Sequence, residues 1–276
     1  MTQPQGESLP PVTDILQQEY GCSDTLVIRA QALTQPQLSQ ACQLMLQQER
    51  RFHRLLDTHD TPVPQDNNLR MRANVYHSRG DYERYVTAHF NVPSDNGGMY
   101  LEGHPEAPDN SAEFVTYERQ GQIWNLAHEY VHYLDGRFNL YGDFCASLHD
   151  SHSAPEYCPS PAPLLPYLVW WSEGLAEYIA KGNDNPAALK LADEPGYALS
   201  ALFDTGYEHN AGTERIYLWG YLAVRFMLER HKPRLDAMLA FTRKGDYPRY
   251  QALITFWGDE MDEEFSLWRR QLNKKT

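Results

Sequence analysis

The 276-residue chain is long enough to bury a substantial core, either as one large domain or as two lobes flanking a cleft. Hydrophobic residues at 42% and aromatics at 12% give a globular composition, which excludes disorder except at the ends. A formal charge of -13, from 24 Lys plus Arg against 37 Asp plus Glu with no dense basic stretch, repels a phosphate backbone and excludes nucleic acid as a partner.

Residues 1–20 are Pro- and Gln-rich and read as a flexible tail. The first fifteen carry neither a basic n-region nor an apolar h-region, so they do not read as a signal peptide, as would also hold for a mature or excised domain. An apolar-rich strand is expected from Thr25 to Ala30. Thr34 then reads as an N-cap with Pro36 and Gln37 in the first turn, and Leu38, Cys42, Met45, Phe52 and Leu56 recur at helical spacing, predicting an amphipathic helix over 35–57. A turn-prone stretch at 58–68 leads to strands expected at 69–77, 82–90, 99–102 and 113–118, which form one mixed sheet.

Beyond residue 120 the pattern is helical. Helices are predicted at 122–134, at 168–181 with Gly182 as C-cap, at 214–231 with Pro233 just beyond, and at 247–272 with a break near Gly258. Residues 150–166 hold five Pro and read as a surface loop. This organisation divides the chain into a tail at 1–20, an N-terminal catalytic lobe at 21–135 and a mainly helical C-terminal lobe at 136–276. The most apolar run, Pro163 to Trp171, is about half the roughly 20 residues a membrane span needs, so no membrane association is expected.

Four cysteines fall into two local groups, Cys22 with Cys42 and Cys145 with Cys158. Neither has CxxC spacing, which argues against a thiolate zinc site. Two local disulfides are expected, with buried free thiols as the alternative. Either bridge would place the protein in an oxidising compartment, secreted or extracellular or else periplasmic.

The segment Ile123 to Asp135 contains His-Glu-x-x-His within a helical pattern. Residues i and i+4 share a helix face, so His128 and His132 can present imidazole nitrogens to one ion while Glu129 lies at its edge. That string alone also fits a surface helix with its polar face in water. A catalytic zinc needs a third protein ligand and an open fourth position, and Glu173, in the otherwise apolar segment Trp170 to Ala180, supplies it. Glu177, one turn on, can accept a hydrogen bond from the remote N–H of a ligating His and fix its tautomer, or it is an ordinary solvent glutamate. Glu129 then reads as the base that takes a proton from zinc-polarised water and passes it to the leaving amine. Tyr217 and Tyr221, one turn apart, can each offer a phenolic O–H to the tetrahedral oxyanion, or each is a core tyrosine.

Taken in order, the blocks Cys22 to Ala30, Gln40 to Met45, Asn96 to Gly103, His128 to Phe138, Trp170 to Tyr178 and Tyr217 to Phe226 resemble the peptidase domain of the bacterial collagenases, the Vibrio-like branch more than the clostridial one. The resemblance implies an α+β, thermolysin-like gluzincin fold, with a mixed sheet and active-site helix in an upper lobe and a mainly helical lower lobe. It implies Glu173 as third zinc ligand, Tyr217 as the oxyanion donor, and Gly97 and Gly98 before the edge strand that binds the substrate backbone. It further implies a calcium ion held by Glu102 and backbone carbonyls within 136–140. The implied activity is zinc-dependent endopeptidase cleavage of collagen, gelatin or collagen-like peptides on the amino side of Gly, by a monomer. The His132 to Glu173 spacing of 41 residues is longer than in clostridial members, and the excess loop would rim the cleft. Full-length members also carry an activator region and collagen-binding modules, so peptides and denatured collagen are the safer substrates to expect. The rival readings are a catalytically dead binding module of the same fold and a secreted structural domain stabilised by the ion.

Overall fold

The computed structural model describes residues 9–95, 97–142, 168–207 and 209–272. Its first half runs α1 (Val12–Ile15), β1 (Gln18–Gly21), β2 (Leu26–Ala30), α2 (Gln35–Leu56), β3 (Met71–Tyr76), α3 (Arg79–Phe90), β4 (Met99–Leu101), β5 (Ala112–Arg119) and β6 (Gln122–Ile123). Helices follow: α4 (Leu126–Asn139), α5 (Val169–Lys181), α6 (Pro186–Leu191), α7 (Leu199–Leu202), a π-helical segment over Glu214–Trp219, α8 (Gly220–Arg230), α9 (Lys232–Thr242), α10 (Tyr247–Trp257) and α11 (Asp262–Leu272). Helices α1 to α3 are interleaved with the strands and, among the described residues, only helices follow β6, which gives the mixed α+β fold the resemblance implies.

The sheet is mixed and runs β1-β2-β3-β5-β4, with β6 paired to the end of β5. Strands β2, β3 and β5 are parallel, while β1 and β4 close the two ends antiparallel. Because side chains alternate along a strand, Met71, Ala73, Val75, Ala112 and Phe114 join the main core with α2 and α4. Tyr76, Val115 and Tyr117 turn to the other face, where α3 supplies Tyr82, Tyr85 and Val86. The main core continues through Trp170 and Trp171 of α5 to Trp268 of α11, so α4 is enclosed between sheet and helices.

Helix α2 starts as the sequence predicts. Thr34 and Gln37 form a reciprocal capping box, and Leu38, Cys42, Met45, Phe52 and Leu56 are buried. A disulfide joins Cys22, just before β2, to Cys42 on this helix. The second expected bridge, Cys145 to Cys158, lies outside the described residues, as does the Pro-rich loop.

Several expected boundaries are corrected. Residues 82–90 are helix rather than strand: Ser78 caps α3 by accepting from the Asp81 amide, and Tyr82, Tyr85 and Val86 are spaced for one helix face. Residues 12–15 and 18–21, expected within a flexible tail, form α1 and β1; β1 is a mostly exposed edge strand whose polar sequence shows no alternation. Residues 122–123 pair as β6, and α4 begins at Leu126 and runs past the 135/136 boundary. The helix expected at 214–231 ends at Arg230 with Pro233 just beyond, and Pro233 then sits in the first turn of a further helix, α9, where its missing N–H costs nothing. The break expected near Gly258 is present: residues 247–272 form two helices, α10 and α11, with Gly258 at the C-cap of α10.

Candidate active site

Helix α4 carries His128, Glu129 and His132 on buried or nearly buried turns, and α5 packs against it with Glu173 and Glu177 facing inward. His128 Nε2 lies 3.0 Å from Glu173 Oε2 and 3.1 Å from His132 Nε2, and His132 Nε2 lies 3.5 Å from the same Glu173 oxygen. Ligands about 2.0–2.1 Å from a tetrahedral zinc ion stand about 3.3–3.4 Å apart, so this triangle has the dimensions and the N, N, O donor set of a zinc face. Among the described residues this is the one His/Cys/Asp/Glu group with ligand atoms so converged, all within 4.8 Å.

The hydrogen bonding around the triangle calls for a cation. Glu177 Oε1 accepts from His128 Nδ1 at 3.1 Å, which leaves the neutral ring with a bare lone pair on Nε2, aimed at a carboxylate oxygen. Glu177 is itself anchored by Lys181 Nζ at 2.5 Å and Asn185 Nδ2 at 3.4 Å. Burial alone would disfavour a charged His128, yet hydrogen bonds to Glu173 and Glu177 outweigh it and raise its pKa to about 10. Glu173 moves the opposite way: burial pushes it up, but His132 and His128 hold it well below the carboxylate range. A buried anion between two imidazoles attracts a cation, and a divalent metal ion, unlike a single proton, can accept a lone pair from all three groups at once.

Glu129 is buried beside the triangle. Burial raises its pKa, against the pull of His132 and His128, and Asn125 Nδ2 donates to its Oε1 at 2.7 Å. Asn125 precedes α4 in the left-handed conformation (φ 59°), which Asn tolerates and which turns its amide back over the first turn. Tyr217 stands against His128, with ring centroids 5.8 Å apart, and burial followed by the Glu173 and Glu129 charges keeps its phenol protonated. Tyr221 is committed elsewhere: its hydroxyl donates to the Gly182 carbonyl at 2.8 Å and accepts from Arg225. The π-helical turn over Glu214–Trp219 widens the helix where Tyr217 sits, a distortion common at functional sites.

Gly97 and Gly98 lie before β4, the end strand of the sheet path. The crowding there is internal: a Cβ on Gly97 would meet Trp124 Nε1 at 2.7 Å, and one on Gly98 (φ 154°) would meet Phe114, Val115 O and Thr116 at 3.0–3.2 Å. Glu102 is buried, its carboxylate filling the place a Gly136 side chain would take, one turn beyond His132. Its backbone carbonyl accepts from Asn68 Nδ2 and Asn110 Nδ2 at 3.2 and 2.8 Å.

Two residues close to the site went unnoticed in the sequence. Asn125 had a signal, its i−4 spacing from Glu129. Tyr207 had none: it sits between α7 and the π-helical segment, and its hydroxyl donates to Glu173 Oε1.

An α+β domain with a His-Glu-x-x-His helix beneath its sheet and a carboxylate from the next helix is a thermolysin-like metallopeptidase domain. A sequence model described as collagenase matches residues 11–268, and the chain belongs to that family of peptidases. It is 44% identical over 264 residues to the microbial collagenase of Vibrio alginolyticus, covering 94% of this chain and 30% of the relative. The microbial collagenase of Vibrio parahaemolyticus is 38% identical over 258 residues, with 92% and 30% covered. Collagenase ColT of Clostridium tetani is 26% identical over 217 residues, with 74% and 20% covered. The Vibrio-like resemblance therefore stands, and the chain spans about a third of the length of these Vibrio relatives.

Proposed function

We propose that this domain is a zinc-dependent endopeptidase that cleaves collagen-like or gelatin strands. The observation that carries the reading is the triangle of His128, His132 and Glu173 donor atoms, 3.0–3.5 Å on a side, with the buried Glu129 carboxylate beside it. Those three residues would hold zinc, which when bound supplies Lewis acidity toward the scissile carbonyl and a more acidic water.

The chain's own groups do the rest. Glu129, oriented by Asn125, takes a proton from the attacking water and returns it to the leaving amine. Tyr217 keeps its phenolic proton and donates it as a hydrogen bond to the developing oxyanion. Glu177 fixes the His128 ring through Nδ1. An extended peptide pairs with the end strand β4, and Gly97 and Gly98 let that strand's approach lie flat against β5 and Trp124. A calcium ion at Glu102 would brace the α4 turn beyond His132, where the buried Glu102 carboxylate lies against Gly136 and offers the hard oxygen ligand that suits it. The Cys22–Cys42 bridge supports an oxidising, extracellular setting for a monomeric enzyme.

Cut-site mapping by mass spectrometry on an unbiased peptide library tests the substrate. Gly enriched immediately after the cut is the expected result. A bulky apolar residue there would keep the peptidase and remove collagen as its substrate. Gelatin should be cleaved faster than intact triple-helical collagen by this domain.

A further inference from the structure

Glu173 offers two carboxylate oxygens, and a free carboxylate can present either or both to a cation. Only Oε2 faces the histidines, at 3.0 Å from His128 Nε2 and 3.5 Å from His132 Nε2. Oε1 accepts a hydrogen bond from the Tyr207 hydroxyl. The segment that brings Tyr207 there is itself tied down. Thr205 Oγ1 accepts from Arg215 Nε at 3.1 Å, the Gly206 amide donates to the His209 carbonyl at 3.0 Å, and the Arg215 guanidinium lies over the Tyr197 ring at 4.6 Å. Arg215 belongs to the same π-helical segment as Tyr217, so one distorted turn anchors both tyrosines.

We propose that Tyr207 is a positioning residue that holds Glu173 as a one-oxygen metal ligand by engaging Oε1 and leaving Oε2 to the cation. The inference rests on the zinc reading above. It completes a pattern in which each ligand has its own support: Glu177 on His128 Nδ1, the Tyr100 ring stacked 6.4 Å from His132, and Tyr207 on Glu173. It also separates two neighbouring tyrosines by role. Tyr207 spends its O–H on a ligand, whereas the Tyr217 hydroxyl makes no hydrogen bond among the described residues and is left for substrate.

The test is zinc affinity by chelator competition on the whole chain, measured for wild type, Tyr207→Phe, Tyr217→Phe, Glu173→Ala and the Tyr207→Phe/Glu173→Ala double variant. Tyr207→Phe should raise the zinc Kd about 10- to 100-fold, the effect usual for partners that orient metal ligands. Its melting temperature after metal removal should match wild type, Tyr217→Phe should leave Kd unchanged, and Tyr207→Phe should add nothing in the Glu173→Ala background. A wild-type Kd in Tyr207→Phe overturns the inference, as does an equal loss of affinity without Glu173. A fall in kcat with Kd and KM unchanged would also overturn it, because the phenol would then act on the reacting atoms. Wild-type protein that binds no zinc would bring down the metal reading itself, a result distinct from any of these.

Discussion

Gly174, the residue after Glu173, lies backbone to backbone against Gly220 at the start of α8. A Cβ on Gly174 would overlap the Gly220 carbonyl group, whose carbon would be 2.6 Å away, and would press on Val224 Cγ2 at 2.9 Å. Helices α5 and α8 therefore meet at a contact with no room for a methyl group, and that contact sets the distance between Glu173 and Tyr217. Gly174→Ala should force the helices apart at a cost of about 1–3 kcal/mol. Thermal unfolding should show a lower melting temperature, and peptidase activity should fall by more than the lost stability explains. An unchanged melting temperature would mean that the helices slide without penalty.

Tyr217→Phe removes one hydroxyl and preserves the ring packed on His128. Loss of an oxyanion donor should lower kcat about 10²- to 10³-fold with KM little changed. Tyr221→Phe is the control, since that hydroxyl serves the Gly182 carbonyl and should affect stability rather than turnover. Equal kcat losses in the two variants would contradict the assignment.

Calcium should stabilise the protein, by about 2.7 kcal/mol when present at 100 times its Kd. Glu102→Ala should abolish that gain, because the buried Glu102 carboxylate is the charged group set against the α4 turn after His132. Calorimetric titration of both proteins checks it. Undiminished calcium stoichiometry in the variant would remove Glu102 from the site.

Replacing Cys22 and Cys42 together by Ser opens a loop with a sequence separation of 20. The lost constraint on the unfolded chain should lower stability by about 3 kcal/mol. Denaturant unfolding measures this, while zinc affinity should stay at the wild-type value because neither residue approaches the triangle.

What the sequence made legible follows from where the signals are local. His128, Glu129 and His132 share one helix, and Glu173 and Glu177 share the next, so spacing places each set on one helix face, whereas the meeting of the two faces is set by the tertiary fold. The pattern at 82–90 misleads because aromatic and β-branched residues favour strands, whereas Ser78 and the Tyr82, Tyr85, Val86 spacing specify helix. Pro233 illustrates an ambiguity of sign: the residue that cannot continue one helix is well suited to begin another. Tyr207 was illegible for a different reason. It lies on no periodic element, and only the tertiary fold carries its hydroxyl across 34 residues to Glu173. The engagement of the Tyr221 hydroxyl by the Gly182 carbonyl is likewise visible only in the fold, and it supports the Tyr217 role that the resemblance implies.

The central claim is that Glu129 performs the proton transfers at a zinc site built from His128, His132 and Glu173. Purified Glu129→Ala should retain a full complement of zinc by elemental analysis while its rate on unfolded collagenous peptide falls about 10²- to 10⁴-fold, the range for loss of a general base. A zinc-replete Glu129→Ala protein that cleaves the peptide at the wild-type rate would contradict the account.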